Sequence, residues 1–308
     1  MGFDPKTETP HLSGKVILVT GGTGGLGAQS VIKLAQWNPS TIYLTGRNAK
    51  GAEATITEAA AASDSATSVR FLECDLDSLA SVKSAANRVL AEQSRLDILI
   101  ANAGVMNHPP ALTKDGYEYQ FGVNYLSHAL LIKLLMPLLE STAARTEADV
   151  RIVQLTSTGF RGAPSGGIQF DSLKTVQKFA VFGGFVRYGQ SKLADLLLAS
   201  ELAKRYPQFT SVSVTPGIVG TDLVKRQSGF HRAHICLAAK VGGQGGLIKP
   251  EDAAWSTLWC VGAPRDEIKN GAFYEPVGVL SKVETKFTKD AELSRKLWEW
   301  TEKELEKW

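Results

Sequence analysis

The chain has 308 residues, 44% of them hydrophobic and 21% charged, a balance that excludes a disordered chain and suits one large α/β domain or two small ones. Lys and Arg number 34 against 31 Asp and Glu, a net charge of only +3, so charge gives no reason to invoke a nucleic-acid partner or an anionic membrane. The three cysteines, Cys74, Cys236 and Cys260, are far apart and odd in number; they suggest neither a disulfide framework nor a metal site and fit a reducing, cytoplasmic setting.

Residues 1–13 are polar and hold no apolar run of signal-peptide length. Short β-branched runs then alternate with longer helical patterns. Strands are predicted at 15–20, 41–44, 69–72, 96–101, 150–155 and 211–214, with 273–274 as a seventh. Helices are predicted at 26–36, stopped by Asn38-Pro39, and at 51–62, 79–93, 117–139, 188–204 and 290–308. Several strands are apolar without alternation, as expected where helices cover both faces of a parallel sheet. The apolar stretch 129–139 is interrupted by Lys133 and Pro137; it reads as a buried helix, and no stretch reaches the length of a membrane span. No repeat or linker divides the chain. The expectation is one domain over 1–308, a doubly wound parallel sheet of about seven strands with helices on both faces.

The first strand runs through Thr20-Gly21-Gly22-Thr23-Gly24-Gly25-Leu26-Gly27 into a helix. Glycines there let the backbone turn tightly and approach a pyrophosphate, and the helix N-terminus offers free N–H groups and positive potential. In this strand–turn–helix context the pattern predicts a Rossmann-type nucleotide site. The next strand ends Thr45-Gly46-Arg47-Asn48. An acidic residue at that point selects NAD; here none stands, and Arg47 suits a 2′-phosphate, which favours NADP(H) over a merely solvated arginine. Tyr188 and Lys192, four apart on a helix, share a face. An ammonium beside a phenol favours the phenolate, which is how a tyrosine becomes a usable acid–base near neutral pH.

Together these pieces resemble the classical short-chain dehydrogenase/reductase family over nearly the whole chain. The glycine turn matches its Thr-Gly-x-x-x-Gly-x-Gly pattern at Thr20, Gly21, Gly25 and Gly27, with Thr23 and Leu26 inside it. Asp75-Leu76 resembles the pair that holds the adenine ring. Ala101-Asn102-Ala103-Gly104 is similar to the family's Asn-Asn-Ala-Gly strand end with its first Asn replaced by Ala, a departure expected to weaken a structural hydrogen bond without abolishing activity. Asn124, Ser157, Tyr188 and Lys192 match the catalytic tetrad, and Pro216-Gly217-Ile218-Val219-Gly220-Thr221 resembles the segment that closes on the nicotinamide carboxamide. The resemblance implies that Lys192 also holds the nicotinamide ribose and that Asn124 positions a water linking Lys192 to solvent. The wide Ser157–Tyr188 spacing, the insert with Ile168-Gln169-Phe170-Asp171 and a tryptophan-bearing C-terminal helix resemble the retinol-dehydrogenase and protochlorophyllide-reductase-like branch, in its soluble microbial or fungal form.

The implied activity is hydride transfer between NADP(H) and a carbonyl or secondary alcohol. Pocket walls are expected from Met106, Asn107, Ser157, Phe160, Phe182 and Phe185, a largely apolar set that suits a bulky hydrophobic ketone. Two rivals remain. An extended-type epimerase or dehydratase shares Tyr-x-x-x-Lys but spaces its glycines differently and carries a larger C-terminal domain. A non-catalytic NADP-sensing module would have lost Tyr188 or Lys192. Oligomeric state is open between monomer and homodimer. Two long Gly-rich segments, an insert at 160–187 and a stretch at 221–250, follow strand ends where ligands bind in such sheets. The second is expected to be a substrate lid, helical around 232–240, with Phe230, Ile235, Leu237 and Val241 as its apolar inner face. His231 and His234 lack further ligands for a metal, His128 is expected to pack or hydrogen-bond, and Cys74 to be a small buried residue.

Overall fold

The computed structural model describes residues 2–63 and 67–308. The chain first lays down β1 (Val16–Val19), α1 (Gly25–Ala35), β2 (Thr41–Gly46), α2 (Ala49–Ala61), β3 (Ser68–Glu73), α3 (Leu79–Glu92) and β4 (Ile98–Ala101). A short α4 (Tyr119–Phe121), a π-helical turn (Gly122–Leu126) and α5 (Ser127–Ala143) run on as one helix. After it come β5 (Arg151–Leu155), α6 (Gly183–Arg205) and β6 (Thr210–Val214). The last third holds α7 (Asp222–Lys225), α8 (Gly229–Ala239), α9 (Pro250–Gly262), β7 (Phe273–Glu275), β8 (Val279–Leu280) and α10 (Ala291–Glu304).

The strands form one sheet in the order β3-β2-β1-β4-β5-β6-β7-β8. The first seven are parallel and β8 turns back antiparallel on β7. The sheet therefore has eight strands, not about seven. The additional strand has two residues, both exposed, and follows Gly278 at a φ of +70°, so no buried apolar pattern marks it. Successive strand residues face opposite layers: Val16 and Leu18 enter the core under α3, α5, α6 and α10, while Ile17 and Val19 enter the core under α1, α2 and α9. Both faces being covered is why these strands read as unbroken apolar runs.

Helix ends differ from expectation for local reasons. α2 starts earlier because the Asn48 side chain accepts from the Gly51 N–H and caps it. α6 starts at Gly183, so Tyr188 lies in its second turn and does not open it; two glycines, poor helix formers, disguise that first turn. The joined helix Tyr119–Ala143 is apolar and long enough to cross a membrane by composition, yet 83% of its apolar window is buried inside the fold. Strand order reverses between β1 and β4, and the crevice beyond their C-terminal ends is where such sheets bind ligands.

Candidate active site

That crevice is a cleft of about 720 Å³, floored by the turns after β1, β2, β3, β4, β5 and β6. Every residue expected to hold a dinucleotide lines it: Gly21, Thr23, Gly25, Leu26, Gly27, Arg47, Asp75, Leu76, Asn102, Ala103, Gly104, Tyr188, Lys192, Pro216, Gly217, Val219 and Thr221. Their arrangement fits a diphosphate. Gly21 and Gly25 adopt φ values of +68° and +55°, and a Cβ on Gly27 would collide with the Gly21 carbonyl. No side chain caps the N-terminus of α1 and no acid stands in its first turn, so its N–H groups face the cleft with their positive potential intact.

Hydrogen bonds brace this turn. Asn102 Nδ2 donates to the Thr20 carbonyl at 2.7 Å, and the Asn102 and Ala103 N–H groups both donate to Thr20 Oγ1. The Thr20 hydroxyl lies 2.8 Å from His128 Nε2, and His128 Nδ1 lies 2.7 Å from the Asn124 carbonyl. A carbonyl only accepts, so Nδ1 carries the proton and Nε2 accepts from Thr20. Burial pushes the His128 pKa down to about 4, against the pull of the Asn124 carbonyl. His128 thus hydrogen-bonds and does not face the cleft.

At the far end of the cleft, β2 delivers Arg47 and β3 delivers Asp75. The Arg47 guanidinium is 64% exposed and 3.7 Å from Asp75, whose other oxygen accepts from Lys114 at 2.6 Å. Burial alone would raise the Asp75 carboxyl; Lys114, the Asp77 N–H and Arg47 outweigh it and hold it below the ordinary value. Cys74 beside it is buried, its thiol pushed up to about 12.

The reacting end lies between β5 and α6. Ser157 follows β5, and its Oγ accepts from the Gly159 N–H at 3.0 Å, leaving the hydroxyl proton free. A Cβ on Gly159 would sit 3.0 Å from Tyr188 Cε1 and 3.2 Å from Ser157 Oγ. That absent Cβ is the space in which the two side chains converge. Lys192 Nζ is 6.0 Å from the Tyr188 ring centre and donates to the Leu155 carbonyl and to Asp195, each at 2.8 Å. Burial works against the ammonium, but Asp195 and Tyr188 outweigh it and hold Lys192 above the ordinary lysine value. Asn124 sits in the π-helical turn behind the cleft. Its side chain clasps Val105 through both N–H and carbonyl and donates to Ser191 Oγ at 2.8 Å, so it ties the end of β4 to α6 as well as approaching Lys192.

The expected substrate walls divide. Met106, Phe185 and Ser157 line the cleft. Phe160 does not: it is 1% exposed and packs edge-on against Phe273 in the core. Asn107 is turned aside, donating to Gln227 at 2.8 Å and meeting His231 at 3.2 Å. Phe182 is largely exposed at the rim, stacked on His234. α8 is the expected helix near the mouth, but the inner face differs: Ile235 is buried, whereas Phe230, Leu237 and, in the turn after α8, Val241 point outward at 71%, 59% and 78% exposure. His234, Ile235 and Ala238 face the cleft instead, joined by Leu223 and Val224. A helix that carries apolar residues on both sides gives no sequence signal for which side turns inward. Asp195, one helical turn beyond Lys192, was also outside the expected set, although its spacing places it on the lysine's face.

Sequence comparison accords with this geometry. The short chain dehydrogenase family profile matches residues 15–230. An uncharacterized oxidoreductase of Schizosaccharomyces pombe is 38% identical over 89% of this chain and 81% of its own length. Human retinol dehydrogenase 13 is 33% identical over 93% of this chain and 83% of its own. Among solved structures, an uncharacterized protein from Mycobacterium paratuberculosis is similar with a TM-score of 0.73 and 25% identity, covering 99% of this chain and 98% of that one. The chain belongs to the short-chain dehydrogenase/reductase family, in its retinol-dehydrogenase-like branch, and is an oxidoreductase built to bind a nicotinamide dinucleotide and a small-molecule substrate.

Proposed function

We propose that the protein is an NADP(H)-dependent carbonyl reductase or alcohol dehydrogenase acting on a bulky hydrophobic ketone or secondary alcohol. The observation that carries this reading is the convergence of Ser157 and Tyr188 over Gly159, with Lys192 behind them, at the apolar end of the dinucleotide cleft. Arg47 supports the phosphorylated cofactor: it stands at the end of β2, lines the cleft and has no acidic neighbour along the chain. Met106, Tyr119, Phe185, Ile235 and Ala238 support an apolar substrate. Three cysteines without a disulfide accord with a reducing, cytoplasmic setting.

When bound, the reduced nicotinamide supplies a hydride to the carbonyl carbon. Tyr188 donates its phenolic proton to the carbonyl oxygen. Ser157, its proton uncommitted, donates a hydrogen bond to the same oxygen as charge develops on it. Lys192 stabilises the phenolate that remains, and the third ammonium proton, not used by Leu155 or Asp195, is available to the cofactor ribose. Asn124 keeps α6 and the turn after β4 in register, so that Tyr188 and the ring site stay aligned.

The test is Tyr188→Phe against a panel of aryl and cyclic ketones with NADPH. Loss of the acid is expected to lower turnover ~10²–10⁴-fold while NADPH binding, followed by fluorescence, is retained. A variant that keeps more than about a tenth of wild-type turnover removes Tyr188 from the role of general acid.

A further inference from the structure

We propose that Asp195 is a positioning residue for the reaction, a buried counter-ion that fixes the Lys192 ammonium and restrains its pull on the Tyr188 proton. This rests on the reading of Tyr188 as proton donor.

The geometry is a chain of charges along one face of α6. Lys192 Nζ donates to Asp195 Oδ2 at 2.8 Å, and the two side chains are only 6% and 2% exposed, so water does not screen the pair. A second ammonium proton goes to the Leu155 carbonyl. Two of three donors are thus directed into the protein, which sets the direction of the third.

The carboxylate is a cost to the fold. Asp195 Oδ1 is buried with no hydrogen-bond partner among the described residues, and an amide of the same shape would be easier to bury than an anion. What the charge adds over an amide is its field at Lys192. Burial pushes the Asp195 carboxyl up to about 6 against the attraction of Lys192, so above that pH the pair is doubly ionised and nearly neutral in sum. The other titratable groups that act on the pair are Tyr188 on the same helix and His128 and Tyr125 from the helix behind. His128 is neutral above about pH 4, and Tyr125 is raised by burial and keeps its proton.

A lone buried ammonium would draw the Tyr188 proton off at lower pH than one with a carboxylate attached behind it. Asp195 opposes loss of the Tyr188 proton, which favours carbonyl reduction, where the phenol must donate. At an effective dielectric near 20, a unit charge ~10 Å away shifts a neighbour's midpoint by about one pH unit.

The experiment titrates the ultraviolet absorbance of the phenolate in the full chain, for wild type, Asp195→Asn and Asp195→Ser, each with its own Tyr188→Phe background subtracted. The Tyr188 midpoint is expected to fall by about one unit in both variants, and the alkaline limb of NADPH-dependent ketone reduction to move with it. A merely structural role would alter thermal stability and leave the midpoint in place. An unmoved or raised midpoint overturns the proposal, and so does failure of both variants to fold. The titration needs no substrate. A wild type that reduces no ketone refutes the functional reading alone, while an unmoved midpoint in an active enzyme refutes only the role of Asp195.

Discussion

Arg47 is the side chain at which the proposed choice between two cofactors that differ by one phosphate can be tested. It is 64% exposed and held only loosely by Asp75 at 3.7 Å, so a 2′-phosphate can take the guanidinium without breaking a buried contact. Each charge-assisted bond to that phosphate is worth about 1.5–3 kcal/mol. Arg47→Asp is therefore expected to lower the ratio of kcat/KM for NADPH over NADH about 10- to 100-fold or more, since the new carboxylate also repels the phosphate. An unchanged ratio returns Arg47 to the ordinary surface. Residues of this kind were legible in the sequence because backbone geometry dictates them: Gly27 admits no Cβ beside the Gly21 carbonyl, and Tyr188 and Lys192, four apart on α6, share a helix face. Phe160 and Asn107 were misplaced because their orientation is decided by long-range partners. Phe160 finds Phe273 across the core, and Asn107 finds Gln227 and His231, neither of which leaves a mark in local sequence.

At the scale of elements, α7 and α8 stand over the cleft mouth and are proposed to act as a flap; ring contacts of Phe182 with His234 and Phe185 with His231, the buried Val224, Ile235 and Ala239, and a few polar ties hold them. Asn107 donates to Gln227 and meets His231, Gln227 Nε2 donates to the Met106 carbonyl, and Gln244 accepts from the Ile218 N–H behind the flap. On its inner side only Ile235 and Ala239 of α8 are buried. Gly245 and Gly246, at φ values of +72° and +141°, follow the flap where the chain turns back toward α9. Few buried contacts and a glycine-bearing turn are the physical signature of an element that opens locally. That a helix stands near the cleft mouth was legible from a long Gly-rich connection after a strand; which of its sides turns inward was not, because Phe230 and Leu237 on its outer side are as apolar as Ile235 within. Saturation with NADP⁺ and a product alcohol is expected to raise amide protection over residues 221–250. Asn107→Ala, by removing about two hydrogen bonds, is expected to weaken that protection by about 1–2 kcal/mol. Equal exchange in free and saturated protein identifies the flap as a static rim.

For the whole molecule, the acid limit of stability is tied to the site through His128. The sheet itself followed from runs such as Ile17–Val19, which must be apolar on both faces. The buried polar bridge across it did not, since Thr20, Asn124 and His128 meet only after β1, β4 and the π-helical turn are assembled. His128 titrates near 6.5 when unfolded and is pushed down to about 4 by burial in the native state. Between those values the unfolded chain binds the extra proton and the folded chain does not, so this contribution is fully present above about pH 6.5 and is lost as pH falls through about 4. Its size is about 3 kcal/mol. Glu118 and Asp195, raised by burial, act with the opposite sign: their contribution is present at low pH and lost as pH rises through their native values. Comparison of wild type with His128→Gln isolates the histidine from these carboxyls. Gln removes the titration but also the imidazole's two fixed bonds, so the variant is expected to be less stable at pH 7.5 and to lose less stability on going to pH 4.5, by about 2–3 kcal/mol in urea unfolding. Parallel stability curves for the two proteins across that range show that the proton does not enter at His128, and that the bridge between the glycine turn and Asn124 survives acidification.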